Sequence, residues 1–191
     1  QAPRIDGETY YHFMDKVVAA IRRRWPEVVL QFEDFAGKYA ANLLARYRDE
    51  LCMFNDDIQG TAAVASACVR AGWQHAGGTL AGAPVLIVGA GSGGCGIAAV
   101  LARLAGSPER VQLFDQDGLV CLDRVNLTPS QQPFARPSQE ACTSLPELIA
   151  RLRPGVLIGV SGQGGLFTEQ VLGAMGAACE RPVILPLSNP T

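Results

Sequence analysis

The chain has 191 residues, 48% of them hydrophobic, and a formal net charge of −2 from 16 basic and 18 acidic side chains. That is enough for one well-buried domain, or one domain with an appendage, and the even mixture of charges argues against nucleic acid as a partner. No apolar run reaches the roughly 20 residues of a membrane span and no signal-peptide core opens the chain, so a soluble, intracellular (cytoplasmic) protein without a membrane partner is expected.

Periodicity predicts an amphipathic helix over residues 8–25, closed by Pro26, and then a continuous apolar run over 28–32 of buried-strand type. Arg22, Arg23 and Arg24 end that helix, where cations complement its dipole. A second helix is expected over 35–51, a very short strand over 52–54, and a helix rich in small residues over 61–75, ended by Gly77 and Gly78. The clearest strand, 84–88, runs through a glycine loop into a helix over 96–104, and a strand over 111–114 delivers Asp115. Residues 118–137, rich in Pro, Gln and Asn, read as irregular. The alternation resumes with a helix over 145–152, a strand over 155–160, a helix over 168–178 and a strand over 182–187. This order predicts right-handed βαβ crossovers and an α/β fold, a doubly wound parallel sheet of Rossmann type. The six scattered cysteines lack metal-site spacing and read as reduced, mostly buried thiols, and His12 and His75 as structural or surface residues.

Gly89-Ala-Gly-Ser-Gly-Gly94 lies after a strand and before a helix, where backbone N–H groups meet a pyrophosphate at the positive helix end. Gly89 permits the turn, Gly91 allows close backbone approach, Gly94 allows helix-to-strand packing, and Ser92 belongs to the same cofactor-binding loop. Asp115, about twenty residues further on, is placed to accept hydrogen bonds from the adenosine ribose, which favours NAD because a 2′-phosphate would meet like charge. A methyltransferase also uses a glycine loop, but no acid directly precedes the glycines here.

Two acidic pairs, Glu33-Asp34 and Asp56-Asp57, each follow a short apolar run and precede a helix-like stretch. Carboxylates at neighbouring strand ends can close on one hard cation, and oxygen-only ligands point to Mg²⁺ or Mn²⁺. The bland alternative is that Asp34 and Asp57 simply cap the helices that follow.

Gln31-Phe-Glu-Asp-Phe35, Phe54-Asn-Asp-Asp-Ile-Gln-Gly-Thr61, Gly89-Ala-Gly-Ser-Gly-Gly-Cys-Gly-Ile97 and Leu187-Ser-Asn-Pro-Thr191, in that order, resemble the malic enzymes, closest to the bacterial NAD-linked type. The likeness covers nearly the whole chain and includes Leu157-Ile-Gly-Val-Ser-Gly-Gln163. It implies oxidative decarboxylation of L-malate to pyruvate and CO₂ with reduction of NAD, assisted by a divalent metal ligated by Glu33, Asp34 and Asp57. By the same resemblance Asp56 is a catalytic carboxylate, or one that stands behind the metal ligands, and couples to the general base, Asn189 contacts substrate or the nicotinamide ribose, and Thr61 lies near the cofactor.

The sequence departs from the family's pattern in ways that bear on activity. The family's base is a lysine and its acid a tyrosine, and neither Lys16 and Lys38 nor Tyr10, Tyr11, Tyr39 and Tyr47 match those motifs. Gly37 stands where many members have asparagine, the connection over 106–110 is short, and Gln131-Gln132 fall where NADP-linked relatives carry a basic residue. The expectation is an incomplete NAD-binding domain over 1–191, with a lead-in helix over 1–27 packing on it and the N-terminal catalytic domain and a C-terminal segment missing. Such a chain would supply metal and cofactor sites but not turn over alone, and would form homo-oligomers as part of the full-length protein. The competing expectations are a non-catalytic dinucleotide-binding module and a metal-free dehydrogenase of the amino-acid type.

Overall fold

A computed structural model describes residues 4–78 and 84–188, and the chain divides into two compact units, Gln1–Asp56 and Asp57–Thr191.

The first unit opens with α1 (Gly7–Arg24). The Asp6 carboxylate caps it by accepting from the Gly7 N–H at 2.7 Å, and Arg22, Arg23 and Arg24 lie in its last turn as the dipole favours. β1 (Leu30–Phe32) and β2 (Met53–Asn55) pair in parallel, and α2 (Gly37–Tyr47) lies between them in sequence. Met14, Val18, Phe32, Tyr39, Leu43 and Tyr47 form the core. The apolar run over 28–32 is not a continuous buried strand. The Val28 N–H turns back to the Trp25 carbonyl and both Val28 and Val29 are exposed, so pairing begins only at Leu30 and only Phe32 is fully buried. The second helix is also shorter than 35–51, because Arg48 closes it and residues 49–52 turn into β2.

The second unit holds α3 (Thr61–His75), β3 (Val85–Val88), α4 (Ser92–Ala105), β4 (Val111–Asp115), β5 (Gly118–Leu119), α5 (Leu145–Leu152), β6 (Val156–Gly159), α6 (Glu169–Ala178) and β7 (Val183–Pro186). Its sheet has the order β5-β4-β3-β6-β7, parallel except for the short β5 edge. Successive strand residues point to opposite faces. Val85, Ile87, Val156 and Ile158 therefore pack with Ala65 and Val69 of α3 and Ile97 and Leu101 of α4, whereas Leu86, Val88 and Leu157 pack with Leu148 and Ile149 of α5 and Met175 of α6. Helices on both faces of a mainly parallel sheet make this a doubly wound, Rossmann-type α/β domain.

Three local features differ from what the sequence predicts. α4 starts at Ser92 rather than at 96, because its glycines answer packing rather than propensity. A Cβ on Gly94 would run into the Gly89 carbonyl oxygen, and one on Gly96 would stand 2.6 Å from that of Ile58. The Pro- and Gln-rich segment begins not irregularly but with β5, formed when Asp115 Oδ1 accepts from the Asp117 N–H and Gly118 takes a φ of +97°. The thiols are all free, but only Cys95 and Cys121 are buried; Cys52 and Cys68 are exposed, correcting the mostly buried expectation. His12 and His75 are exposed, as expected.

Candidate functional site

The strand order reverses direction between β3 and β6, and the carboxyl ends of strands at such a switch point leave a crevice. A cleft of about 750 Å³ opens there. The end of β3 and the glycine loop (Val88, Gly89, Ala90, Gly91) form one wall, Phe114, Asp115 and Gln116 another, and Val160, Ser161 and Gln163 beyond β6 a third. A smaller cleft of about 190 Å³ shares Val88, Ser161 and Gln163 with it and reaches Pro186 and Ser188 at the end of β7.

The loop has the stereochemistry that a phosphate cradle requires. Gly89 adopts φ +125°, and a Cβ there would stand 2.6 Å from the Val160 carbonyl carbon. Gly91 differs: a Cβ would meet nothing within 4 Å, so the missing side chain leaves room for a ligand beside the backbone. The residues present thus fit a dinucleotide, with a bare loop backbone at the start of α4 and a carboxylate at the end of the next strand. Asp115 lines the cleft, and both of its oxygens already have donors: the Asp117 N–H at 2.9 Å and Arg124 Nη1 at 2.6 Å. Arg124 also donates to the Gly118 and Leu119 carbonyls at 2.7 and 3.0 Å, so the pair is a fixed, mostly buried element rather than a floating surface bridge. Much of the negative charge expected to repel a 2′-phosphate is neutralised by this arginine.

Of the predicted cofactor residues, Gly89, Gly91 and Asp115 line the cleft, Gly94 packs beneath the loop, and Ser92 and Thr61 open α4 and α3 without being among the lining residues. Asn189 lies outside the described residues. Sequence reasoning missed the far wall, formed by Thr143, Leu145 and Pro146 at the start of α5 and by Ser161, Gln163, Gly165, Thr168 and Gln170 after β6. The stretch over 157–163 stands out in the sequence, and the switch-point rule would have given it this place.

The acidic pairs occupy strand ends. Glu33 and Asp34 follow β1 and are exposed; Asp56 and Asp57 follow β2 in a single π-helical turn, Asp56–Gly60, and are half-buried. Neither Asp34 nor Asp57 stands at an N-cap position: α2 starts from Ala36 and α3 from Gly60. Asp34 holds φ +60°, a left-handed conformation uncommon outside glycine and concentrated at functional sites. Within the second unit the Asp57 turn packs on α4, its carbonyl oxygen 3.3 Å from where a Gly93 Cβ would be. Among the described residues of either unit, no three His, Cys, Asp or Glu side chains gather as a metal site. Glu33, Asp34 and Asp56 belong to the first unit and Asp57 to the second.

The buried tyrosines of the first unit are engaged within it, and Lys38 makes an exposed ion pair there. Lys38 pairs with Asp6 at 2.6 Å, the Tyr39 hydroxyl bonds Asp6, and the Tyr47 hydroxyl donates to Asp15 at 2.7 Å. Burial, reinforced by Asp15, pushes the Tyr47 hydroxyl up to about 12.

Comparison with known proteins covers both units. Residues 58–191 match the family described as malic enzyme, NAD binding domain, and residues 1–48 that described as malic enzyme, N-terminal domain. An NAD-dependent malic enzyme of Sodalis glossinidius is 48% identical, and one of Acinetobacter baylyi 45%, each over 99% of this chain and 36% of the relative. The chain therefore spans about a third of the length of these curated relatives. Crystal structures of malic enzymes from Thermotoga maritima (TM-score 0.77, 23% identity, 93% of this chain and 47% of that one) and Entamoeba histolytica (0.75, 20%, 92% and 38%) share the fold.

Proposed function

Because the chain belongs to the malic enzyme family, we propose that its second unit binds NAD in the switch-point cleft and that, within the whole protein, the chain serves the oxidative decarboxylation of L-malate to pyruvate and CO₂. The observation that carries the reading is the glycine loop: Gly89 and Gly94 are sterically obligatory, whereas Gly91 is bare toward open space at the cleft wall. Backbone N–H groups at the start of α4 take the pyrophosphate, and Asp115 takes the adenosine ribose while Arg124 fixes its orientation. Bound there, NAD would supply the hydride acceptor that oxidation of malate at C2 requires.

Glu33, Asp34 and Asp57 are proposed as ligands of Mg²⁺ or Mn²⁺, a choice supported by their all-oxygen donor set, their places just beyond the paired strands β1 and β2, and the left-handed backbone at Asp34. When bound, the cation supplies Lewis acidity to the substrate's C2 oxygen. Asp56 is proposed to couple to a general base outside this chain, and Asn189 to contact substrate or the nicotinamide ribose. We assign residues 1–48 to the family's N-terminal domain and the second unit to its cofactor domain, with cytoplasmic location and homo-oligomerisation following the family expectation.

Because neither Lys16 nor Lys38, nor any of the four tyrosines, matches the family's base and acid motifs, this chain alone should not turn over. The test is NADH production from L-malate with Mn²⁺ and NAD, by the chain alone and after adding the remainder of the N-terminal domain. Activity only on complementation, abolished by Asp57→Asn, supports the proposal. Turnover by the chain alone would return a catalytic role to its lysines or tyrosines, and NAD binding without activity in either arm would favour a binding module.

A further inference from the structure

The Ala90 carbonyl, in the middle of the glycine loop, accepts two side-chain hydrogen bonds: one from Gln131 Nε2 at 2.9 Å and one from the Cys95 thiol at 3.4 Å. The donors come from different places, Cys95 from the first turn of α4 and Gln131 from the long segment after β5. Gln131 is itself held in place. Its Oε1 accepts from the Thr128 N–H at 3.0 Å, its own N–H donates to the Thr128 carbonyl at 3.0 Å, and Leu127 and Phe134 anchor its surroundings in the core shared with α3 and α4.

In a trans peptide the carbonyl and the following N–H point in opposite directions. Drawing the Ala90 oxygen toward Gln131 and Cys95, neither of which lines the cleft, turns the Gly91 N–H to the other side, where the loop forms the cleft wall. Backbone hydrogen bonds hold the Gly89 N–H to the Phe114 carbonyl and the Gly91 carbonyl to the Cys95 N–H, and this clamp restrains the peptide between them. Glycines flank Ala90 on both sides, and their conformational freedom would otherwise let the peptide rotate.

We propose that Gln131, assisted by Cys95, is a positioning residue for the dinucleotide: it locks the Ala90–Gly91 peptide so that the Gly91 N–H faces the cofactor's pyrophosphate. The inference rests on the NAD reading above and gives the Pro- and Gln-rich segment a task in cofactor binding.

The test titrates NADH by fluorescence, and adenosine by NMR chemical shifts, into the protein and its Gln131→Met, Gln131→Glu and Cys95→Ala variants. Gln131→Met keeps the volume without the donor and should weaken NADH binding about tenfold, as expected for one lost hydrogen bond, while leaving adenosine, which has no pyrophosphate, unchanged. Gln131→Glu, presenting an acceptor to a carbonyl, should weaken NADH at least as much, and Cys95→Ala about two- to threefold. Unchanged NADH affinity in Gln131→Met overturns the proposal, as does an equal loss for NADH and adenosine, which would mark a general loosening of the fold. Failure of the unaltered protein to bind NADH would overturn the cofactor reading itself.

Discussion

In the second unit every residue of β3 and β6 is buried and successive side chains feed apolar cores on two faces, whereas in the first unit β1 and β2 each bury a single residue beside a cluster tied by charges and tyrosine hydroxyls. Asp15 typifies the polar construction of the first unit. Its carboxylate takes Arg46 through two nitrogens, both at 2.7 Å, and the Tyr47 hydroxyl at 2.7 Å. The switch-point cleft is built on the apolar unit, and three of the four strand-end acids lie on the polar one. The two halves should therefore feel different perturbations.

The largest effect is expected from Leu157→Ala, which empties a fully buried position in β6 and should cost about 2–5 kcal/mol. Val29→Ala, at an exposed position of the first unit, should stay within about 0.5 kcal/mol. Chemical denaturation of both variants checks the pair, and equal losses would erase the contrast.

Next comes a split within the glycine loop. Gly94→Ala collides with backbone and should cost about 3 kcal/mol. Gly91→Ala should leave the melting temperature within about a degree or two and weaken NADH binding about tenfold, since its Cβ meets only open space at the cleft wall. Thermal scans and NADH titration separate the two.

Burial, with a smaller contribution from Asp115, pushes the Cys95 thiol up to about 11. A folded thiol that keeps its proton when the unfolded one has lost it stabilises the native state below about pH 9, the ordinary thiol range, and that stability falls as pH rises to 11. The loss should be at most about 2–3 kcal/mol, and Cys95→Ala should flatten the stability–pH curve in that window.

The smallest effect belongs to the first unit. Hydrogen bonds from Arg46 and then Tyr47 hold the Asp15 carboxyl below its ordinary value. Its contribution is present above the unfolded value and is lost as pH falls through the lower folded one, so acid below about pH 4 should loosen this unit first. Asp15→Asn should shrink that acid step to the part left by Asp6, which Lys38 and the Gly7 N–H also hold down, and added salt should shrink it further. Tyrosine fluorescence, whose four reporters all lie in the first unit, reads it.

Much of the second unit was legible because its signals were redundant. α3 and α5 begin and end where the sequence places them, Ser144 and Thr168 cap their helices through their hydroxyls, and the glycine loop follows the strongly apolar strand β3. The run at Val28-Val29 misled because hydropathy does not distinguish a strand from a turn that leaves valines in solvent, a distinction that depends on the Trp25 carbonyl. β5 was invisible because two residues carry no periodicity; a side chain of Asp115 makes it. The far wall of the cleft, from Ser161 to Gln170, is assembled by topology, which a residue-by-residue reading does not supply. Arg124 was missed for a similar reason: its pairing with Asp115 depends on the hairpin between them.

Hydrogen exchange of the chain with and without NADH, read peptide by peptide, would decide whether the switch-point cleft is the cofactor site. Binding there predicts slowed exchange over residues 89–95, 114–118 and 160–166, with residues 4–50 unchanged. Protection confined to the first unit, or none along the glycine loop at saturating NADH, would contradict it.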